Sequence, residues 1–194
     1  VEGEYGVWEG EWGRAARILQ QWDLVGDVAK ADGDVEGQLE ALWHSSTAVW
    51  SAPDTQATAA GLLKAAGVGR PEVRRKVCEG LVLLEQVREA PDRITAFQGV
   101  LEEAYALALK DWWMLPERPG PGHVAALEAF QAVIELQEAQ LVFANLGNAA
   151  GSSNGRQPTF LQELKGLLGT WRDRLPNQWD RMTAWGDTLA WRQH

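Results

Sequence analysis

From Val73 to Trp112 apolar residues return every three or four positions, and no stretch of the 194 residues alternates convincingly with the two-residue period of a strand. That periodicity restricts the chain to helices. Val73, Val77, Leu81, Leu84 and Val87 form one stripe, and Pro91-Asp92 separates it from a second built of Ile94, Phe97, Leu101, Ala104, Tyr105, Ala108 and Trp112. Upstream, Tyr5, Trp8, Trp12, Ala15, Ala16 and Leu19 define a helix despite Gly6, Gly10 and Gly13. Each such glycine costs ~1 kcal/mol against alanine, so this helix is expected to lean on its neighbours. Asp23 is expected to cap a second helix running through Lys30. Val35, Leu39, Leu42, Trp43, Val49 and Trp50 suggest a third, Pro53-Asp54 opens an Ala-rich fourth ending near Gly67, and Arg70-Pro71 starts the fifth.

Beyond Trp113 the segment Pro116 to Gly122 reads as a rigid loop, followed by a long helix from His123 to Asn145 with Leu127, Phe130, Ile134 and Leu141 as core candidates. Residues 146–158 read as a Gly/Ser/Asn loop. Thr159 with Gln162 fits a capping box, ahead of a stripe of Leu161, Leu164, Leu168, Trp171 and Leu175 that Pro176 ends. A last helix is expected to hold Trp179, Met182, Trp185 or Gly186, and Leu189. The expected fold is all-α: about nine helices paired as antiparallel, tetratricopeptide-like hairpins in an α-solenoid, with residues 1–194 as a single segment. No strict repeat is visible, so the solenoid would be divergent.

Four of the eleven tryptophans fall in the last two dozen residues, as Trp171, Trp179, Trp185 and Trp191. A buried indole removes ~150–250 Å² from water and contributes up to roughly 4–6 kcal/mol, so these rings are expected to be core, wedged between paired helices. Net charge is −9, spread as −7 over residues 1–69, −4 over 70–155 and +2 over 156–194. That balance argues against direct nucleic-acid or anionic-membrane binding, both of which need basic patches. Cys78, the only cysteine, excludes an intramolecular disulfide and suits a reducing compartment. No signal-peptide pattern opens the chain and no apolar run approaches ~18 residues. Lacking an initiator Met, and ending on WRQH in helical pattern, the chain is expected to be a fragment of a soluble intracellular protein.

The motifs that could carry chemistry fail on context. Gly151-Ser152-Ser153-Asn154-Gly155 matches a nucleophile elbow, with Asp173, Asp180 or Asp187 and then His194 in hydrolase order, but polar loop replaces the strand and helix such a turn needs. Gly120 to Ala125 matches a dinucleotide fingerprint, yet Pro116 and Pro119 precede it and Pro121 removes a donor, so it reads as a loop that starts a helix. His44, His123 and His194 with one Cys give no metal-ligand spacing, and His44 reads as a half-buried helix residue. Arg70, Arg74, Arg75 and Lys76 form a basic cluster interrupted by Glu72 and Glu79, and they read as a solvated face, as does Glu102-Glu103. No catalytic, cofactor-binding or metal residue is expected, and no cofactor.

Two groups of residues carry a family resemblance. One is EYGVWEGEWGRAARILQQWDLVGDVAK near the start. The other is Ile134-Glu135-Leu136-Gln137-Glu138-Ala139 with the closing TWRDRLPNQWDRMTAWGDTLAWRQH, helped by Trp112 and Leu115-Pro116 between them. Together they resemble the FAT domain of a TRRAP-like member of the phosphatidylinositol-kinase-related kinase superfamily, with residues 51–110 matching mainly in pattern. The resemblance implies a non-enzymatic α-solenoid segment of a very large nuclear scaffold, bracing a kinase-like domain that lacks catalytic residues. It implies protein partners: neighbouring solenoid and kinase-like domains of the same chain, subunits of SAGA-type histone acetyltransferase complexes, and transcription activators. The alternatives are a FAT segment of an active kinase of the superfamily, and a free-standing hydrolase using Ser153 and His194.

Overall fold

Connections of two or three residues make hairpins of successive helices, because so short a link leaves the second helix nowhere to go but back along the first. In the computed structural model, which describes residues 2–45, 52–66, 72–150 and 157–192, the helices are α1 (Glu2–Ile18), α2 (Trp22–Asp32), α3 (Val35–His44), α4 (Pro53–Ala65), α5 (Val73–Glu89), α6 (Ile94–Trp113), α7 (Pro121–Ala150), α8 (Gln157–Asp173) and α9 (Met182–Arg192). A 3₁₀ turn, Pro91–Arg93, joins α5 to α6, and no strand occurs among the described residues. The chain divides into two compact units, Val1–Gly69 with Pro176–His194, and Arg70–Leu175.

In the first unit α1 packs on α2, α2 on α3, α3 on α4, and α9 returns against α3. Its interior is small: Ala16, Val25 and Ala41 form a cluster against which Trp22 and Leu24 pack. Leu39, Trp43 and Ala59 are buried as well. The α2–α3 turn follows from its residues. Gly33 takes φ 69°, a left-handed conformation that costs glycine nothing, and Asp34 then caps α3 by accepting the Gly37 N–H at 3.1 Å. The expected cap at Asp23 is not made; Gln21 occupies the N-cap of α2 and Asp23 lies in its first turn, where its charge still favours the positive helix end. The third helix stops at His44, and the expected positions Val49 and Trp50, like Arg70-Pro71, lie outside the described residues.

In the second unit α5, α6 and α7 pack mutually and α8 lies on α7. The α5 and α6 stripes are buried as the spacing predicts, through Val73, Val77, Leu81 and Leu84 on one and Phe97, Leu101, Ala104 and Ala108 on the other. Cys78 is buried beside them. In α7 the expected face is wrong. Leu127 and Leu141 are exposed, Phe130 and Ile134 half-buried, and the deeply buried residues are Val133, Glu135 and Leu136. Residues 124–144 are apolar around most of the helix, and the polar row of Glu128, Gln131, Glu135 and Glu138 that spacing would send to solvent is turned partly inward by the contact with α5 and α6. In α8, Leu161 and Leu168 are likewise exposed while Leu164, Trp171 and Leu175 are half-buried.

Several boundaries move as well. Pro121 opens α7 two residues before His123, α7 runs through residues 146–150 of the expected loop, and α8 begins at Gln157, which places Thr159 inside its first turn instead of at the cap. Trp179 lies in a turn ahead of α9, not within it.

The α5–α7 contact favours glycine: a Cβ on Gly80 would collide with Leu136 Cδ2, and Leu136 is fully buried. Gly99 of α6 has nothing within 4 Å of its own missing Cβ. Alanine stabilises a helix interior by ~1 kcal/mol over glycine where there is room. Gly99→Ala is therefore expected to raise the urea midpoint, and Gly80→Ala to lower it by overpacking, a cost of typically 1–3 kcal/mol before that gain. Equal stabilisation by both would mean that the helices are not held at this distance.

Candidate functional site

The most elaborate side-chain arrangement in the second unit joins α7 to the end of α8. Glu138 accepts both guanidinium nitrogens of Arg174, at 2.7 and 3.0 Å, and the Trp171 indole N–H at 2.7 Å. Glu135, one turn earlier and fully buried, accepts from Gln131 at 3.1 Å and lies 3.9 Å from Arg174. Gln131 also donates to the Arg174 carbonyl at 3.4 Å. Tyr105 of α6 donates to Gln137 at 2.8 Å. Hydrogen bonding to Glu138 outweighs burial and holds the Arg174 guanidinium above its usual pKa, while burial and then the Glu138 charge push the Tyr105 phenol up. A forked donor meeting a carboxylate in this way fixes angle as well as distance. The arrangement is a mechanical clasp; it presents no nucleophile.

The basic cluster resolves into an interhelix ion pair. Lys76 of α5 reaches Glu79 at 2.8 Å and Glu103 of α6 at 2.6 Å, so neither Lys76 nor Glu103 is simply solvated. Burial pulls the Lys76 pKa down, but hydrogen bonds to Glu103 and Glu79 more than offset it and the pKa lies above the usual lysine value. Arg70 lies outside the described residues.

At Gly120 the helix-starting loop is present: its N–H donates to His123 Nδ1 at 3.1 Å, and His123 meets Trp112 edge-on at 5.5 Å. A groove of about 410 Å³ beside it, between α5, α6 and α7, is lined by alanines such as Ala108 and Ala126 together with the charged Glu72, Arg74 and Asp111.

In the first unit His44 is buried, not half-buried, and stacks on Trp22 at 3.9 Å. Its Nε2 lies 3.1 Å from Asp187 Oδ1 of α9 without hydrogen-bond alignment. These groups border an open cavity of about 630 Å³ with Gln20, Ser45 and Gly186. Ser153 and His194 lie outside the described residues, so the elbow reading is not placed. Among the described residues no group of three or more His, Cys, Asp or Glu could hold a metal ion, and no helix is long and apolar enough to cross a membrane.

The tryptophans correct the expectation of buried staples. Of those whose side chains are described, Trp43 alone is buried; Trp22, Trp171 and Trp185 are half-buried, and Trp8, Trp12, Trp112, Trp113 and Trp179 are exposed. Apart from Trp43, Phe97 and Cys78, the buried hydrophobic core is Val, Leu and Ala. Aromatic surface is instead displayed, and exposed apolar patches on helices are the surfaces that bind other proteins.

Comparison with known proteins supplies the family. The profile of the FAT domain matches residues 36–194. The chain belongs to the FAT domain family. It is 37% identical over 179 residues, 92% of its length, to the SAGA complex/NuA4 acetyltransferase complex subunit Tra1 of Schizosaccharomyces pombe, and 33% identical over 193 residues to the TRA1 subunit of the same description in Saccharomyces cerevisiae. The mouse transformation/transcription domain-associated protein is 29% identical over 193 residues. The chain spans about 5% of the length of each yeast relative and 7% of the mouse protein. FAT domains are helical solenoids, and the hairpin succession seen here, with α5 touching both α6 and α7, is how such a stack is built. Two of the segments that suggested the resemblance, IELQEA on α7 and TWRDRLP at the end of α8, are the two halves of the clasp, while the stretch near the start lies outside it.

Arg174→Ala is expected to cost about 3 kcal/mol in urea unfolding, because it leaves the buried Glu135 and the half-buried Glu138 uncompensated, and Arg174→Lys, without the fork, to recover only part. An unchanged midpoint in Arg174→Ala would show that the clasp carries no load. Tyr105 and Lys76 both hold their protons more tightly in the folded chain. Their stabilisation is therefore complete below the unfolded values of about 10 and is lost as pH rises through the higher folded values. A tyrosinate titration at alkaline pH is expected to show a raised midpoint that disappears in Tyr105→Phe and falls in Glu138→Gln.

Proposed function

We propose that this chain is a non-catalytic scaffold segment of a TRRAP-like transcription coactivator subunit, working in the nucleus within SAGA-type histone acetyltransferase complexes. On this reading residues 1–194 form a single segment of a FAT-type solenoid in a much larger protein. It braces a kinase-like domain that lacks catalytic residues and offers helix faces to neighbouring solenoid segments, coactivator subunits and transcription activators. It binds no nucleic acid directly and uses no cofactor.

The observation that carries the reading is the likeness of nearly the whole of this chain to a short stretch of the Tra1 subunits, joined to the clasp at Glu138 and Arg174 that fixes one helix on another. A scaffold transmits position, and position requires rigid angles between helices. A bidentate carboxylate–guanidinium contact supplies that better than apolar packing alone, which tolerates sliding.

The full-length protein, purified through an affinity tag, is expected to bring histone acetyltransferase activity with it and to transfer no phosphate from γ-labelled ATP to protein. Arg174→Ala in the same protein is expected to reduce the co-purified acetyltransferase activity severalfold. Phosphoryl transfer that follows the protein through purification would favour an active kinase and overturn the proposal, and so would a pure protein devoid of acetyltransferase.

A further inference from the structure

We infer that α1, with the groove beside it, docks a basic amphipathic helix of a partner protein; this rests on the scaffold reading and sharpens it. Spacing predicts Trp8, Trp12, Ala15 and Leu19 as a core stripe, yet of the α1 stripe positions described only Ala16 is buried, while Trp8 is 75% exposed, Trp12 46% and Leu19 66%. Positions 8, 12, 15 and 19 follow a helical i, i+4, i+7, i+11 register, so they lie along one side of α1 over about 16 Å, three turns of a partner helix. The side turned to α2 is built of Gly10, Gly13, Ala16 and Arg17, and there α1 and α2 border a groove of about 270 Å³. Trp12 lines that groove together with Asp32 and Asp34.

Charge decides the occupant. Residues 1–69 carry −7, and α1 itself holds Glu2, Glu4, Glu9 and Glu11 against two arginines. Arg17 is engaged by Glu40 at 2.7 Å, and Arg14 lies 4.0 Å from Glu11. A second copy of this chain, itself at −9, or an anionic bilayer would meet like charge. A helix with Leu or Ile on one side and Lys or Arg at its flanks matches both components, its aliphatic side chains on the indole rings and a cation at Asp32.

The test uses the full-length protein and a fluorescein-labelled 18-residue helix with Leu at three–four spacing and Lys elsewhere, with a Glu-for-Lys counterpart as control. Fluorescence anisotropy is expected to show binding of the Lys peptide and not of the Glu peptide. Trp8→Ala with Trp12→Ala is expected to weaken binding about tenfold or more, and Asp32→Asn severalfold, with weaker binding at higher salt. Because the rings are exposed, the variants keep a wild-type circular-dichroism spectrum, and Leu19→Lys provides an independent probe of the same stripe. Three results overturn the proposal: Lys-peptide binding indifferent to these substitutions; no binding, with α1 already protected from hydrogen exchange by another part of the same protein; or self-association in sedimentation that Trp8→Ala abolishes. None of them touches the acetyltransferase co-purification on which the scaffold reading stands, so the two ideas fail separately.

Discussion

The depth at which α7 sits against α5 sets the rest of the second unit. Gly80 lets the helices approach until Leu136 is fully buried, and the residue before it, Glu135, goes into the interior with it. A carboxylate taken out of water is costly unless it is paired and hydrogen-bonded, so the close approach creates a demand that the helix itself answers only in part, through Gln131. Arg174 answers the remainder. It stands just past the end of α8, in the turn before Pro176, so satisfying Glu135 and Glu138 also fixes where α8 ends.

Ion pairs of this kind are weak sources of net stability, because desolvation consumes most of the attraction; what they give is a unique geometry. Apolar packing between α7 and α8 could be satisfied in several registers, since α7 is apolar around most of the helix. The fork from Arg174 and the indole N–H of Trp171 reach one carboxylate only in one register. Trp171 therefore belongs to the clasp through its polar edge as much as through its area, which explains why a half-buried ring occupies this position. Lys76 between α5 and α6 plays the same part on a smaller scale, joining two helices whose apolar stripes already match.

Helix existence was legible in the sequence, and helix faces only where one side was polar. In α5 and α6 charged residues mark the outside, so Val77, Leu81, Phe97 and Ala104 could be named as core. In α7 the row of Glu128, Gln131, Glu135 and Glu138 marks a side that turns partly inward, so the choice of Leu127 and Leu141 falls on the wrong side. Glu135 and Glu138 carried a signal that periodicity overlooks: two acids three residues apart in an otherwise apolar stretch are expensive unless something cationic meets them. The spacing of Arg174 from them, 36 and 39 positions along the chain, is set by the fold, and nothing local in the sequence announces it. The tryptophans misled for a related reason. Size and hydrophobicity argue for burial, but they say nothing about whether the surface that covers the ring belongs to the same chain.

That last point separates a solenoid segment from a domain with a single core. A domain closes on itself, so its apolar stripes are all consumed within it. In a stack, each helix pair consumes one face and leaves the other for the next layer or for a partner. Here the faces consumed within each unit are lined with Ala, Gly, Val and Leu, residues that allow close approach at little entropic cost, while Trp8, Trp113 and Trp179 stand outside. Placing the largest rings where they hold nothing together would be wasteful in a self-contained fold. It suits a chain whose contacts are made with other surfaces, because a rigid indole buries the most area on binding for the fewest rotatable bonds. The small interior of the first unit, with alanine at five of its buried positions, then has a reason: helices kept close by small side chains present their large ones outward.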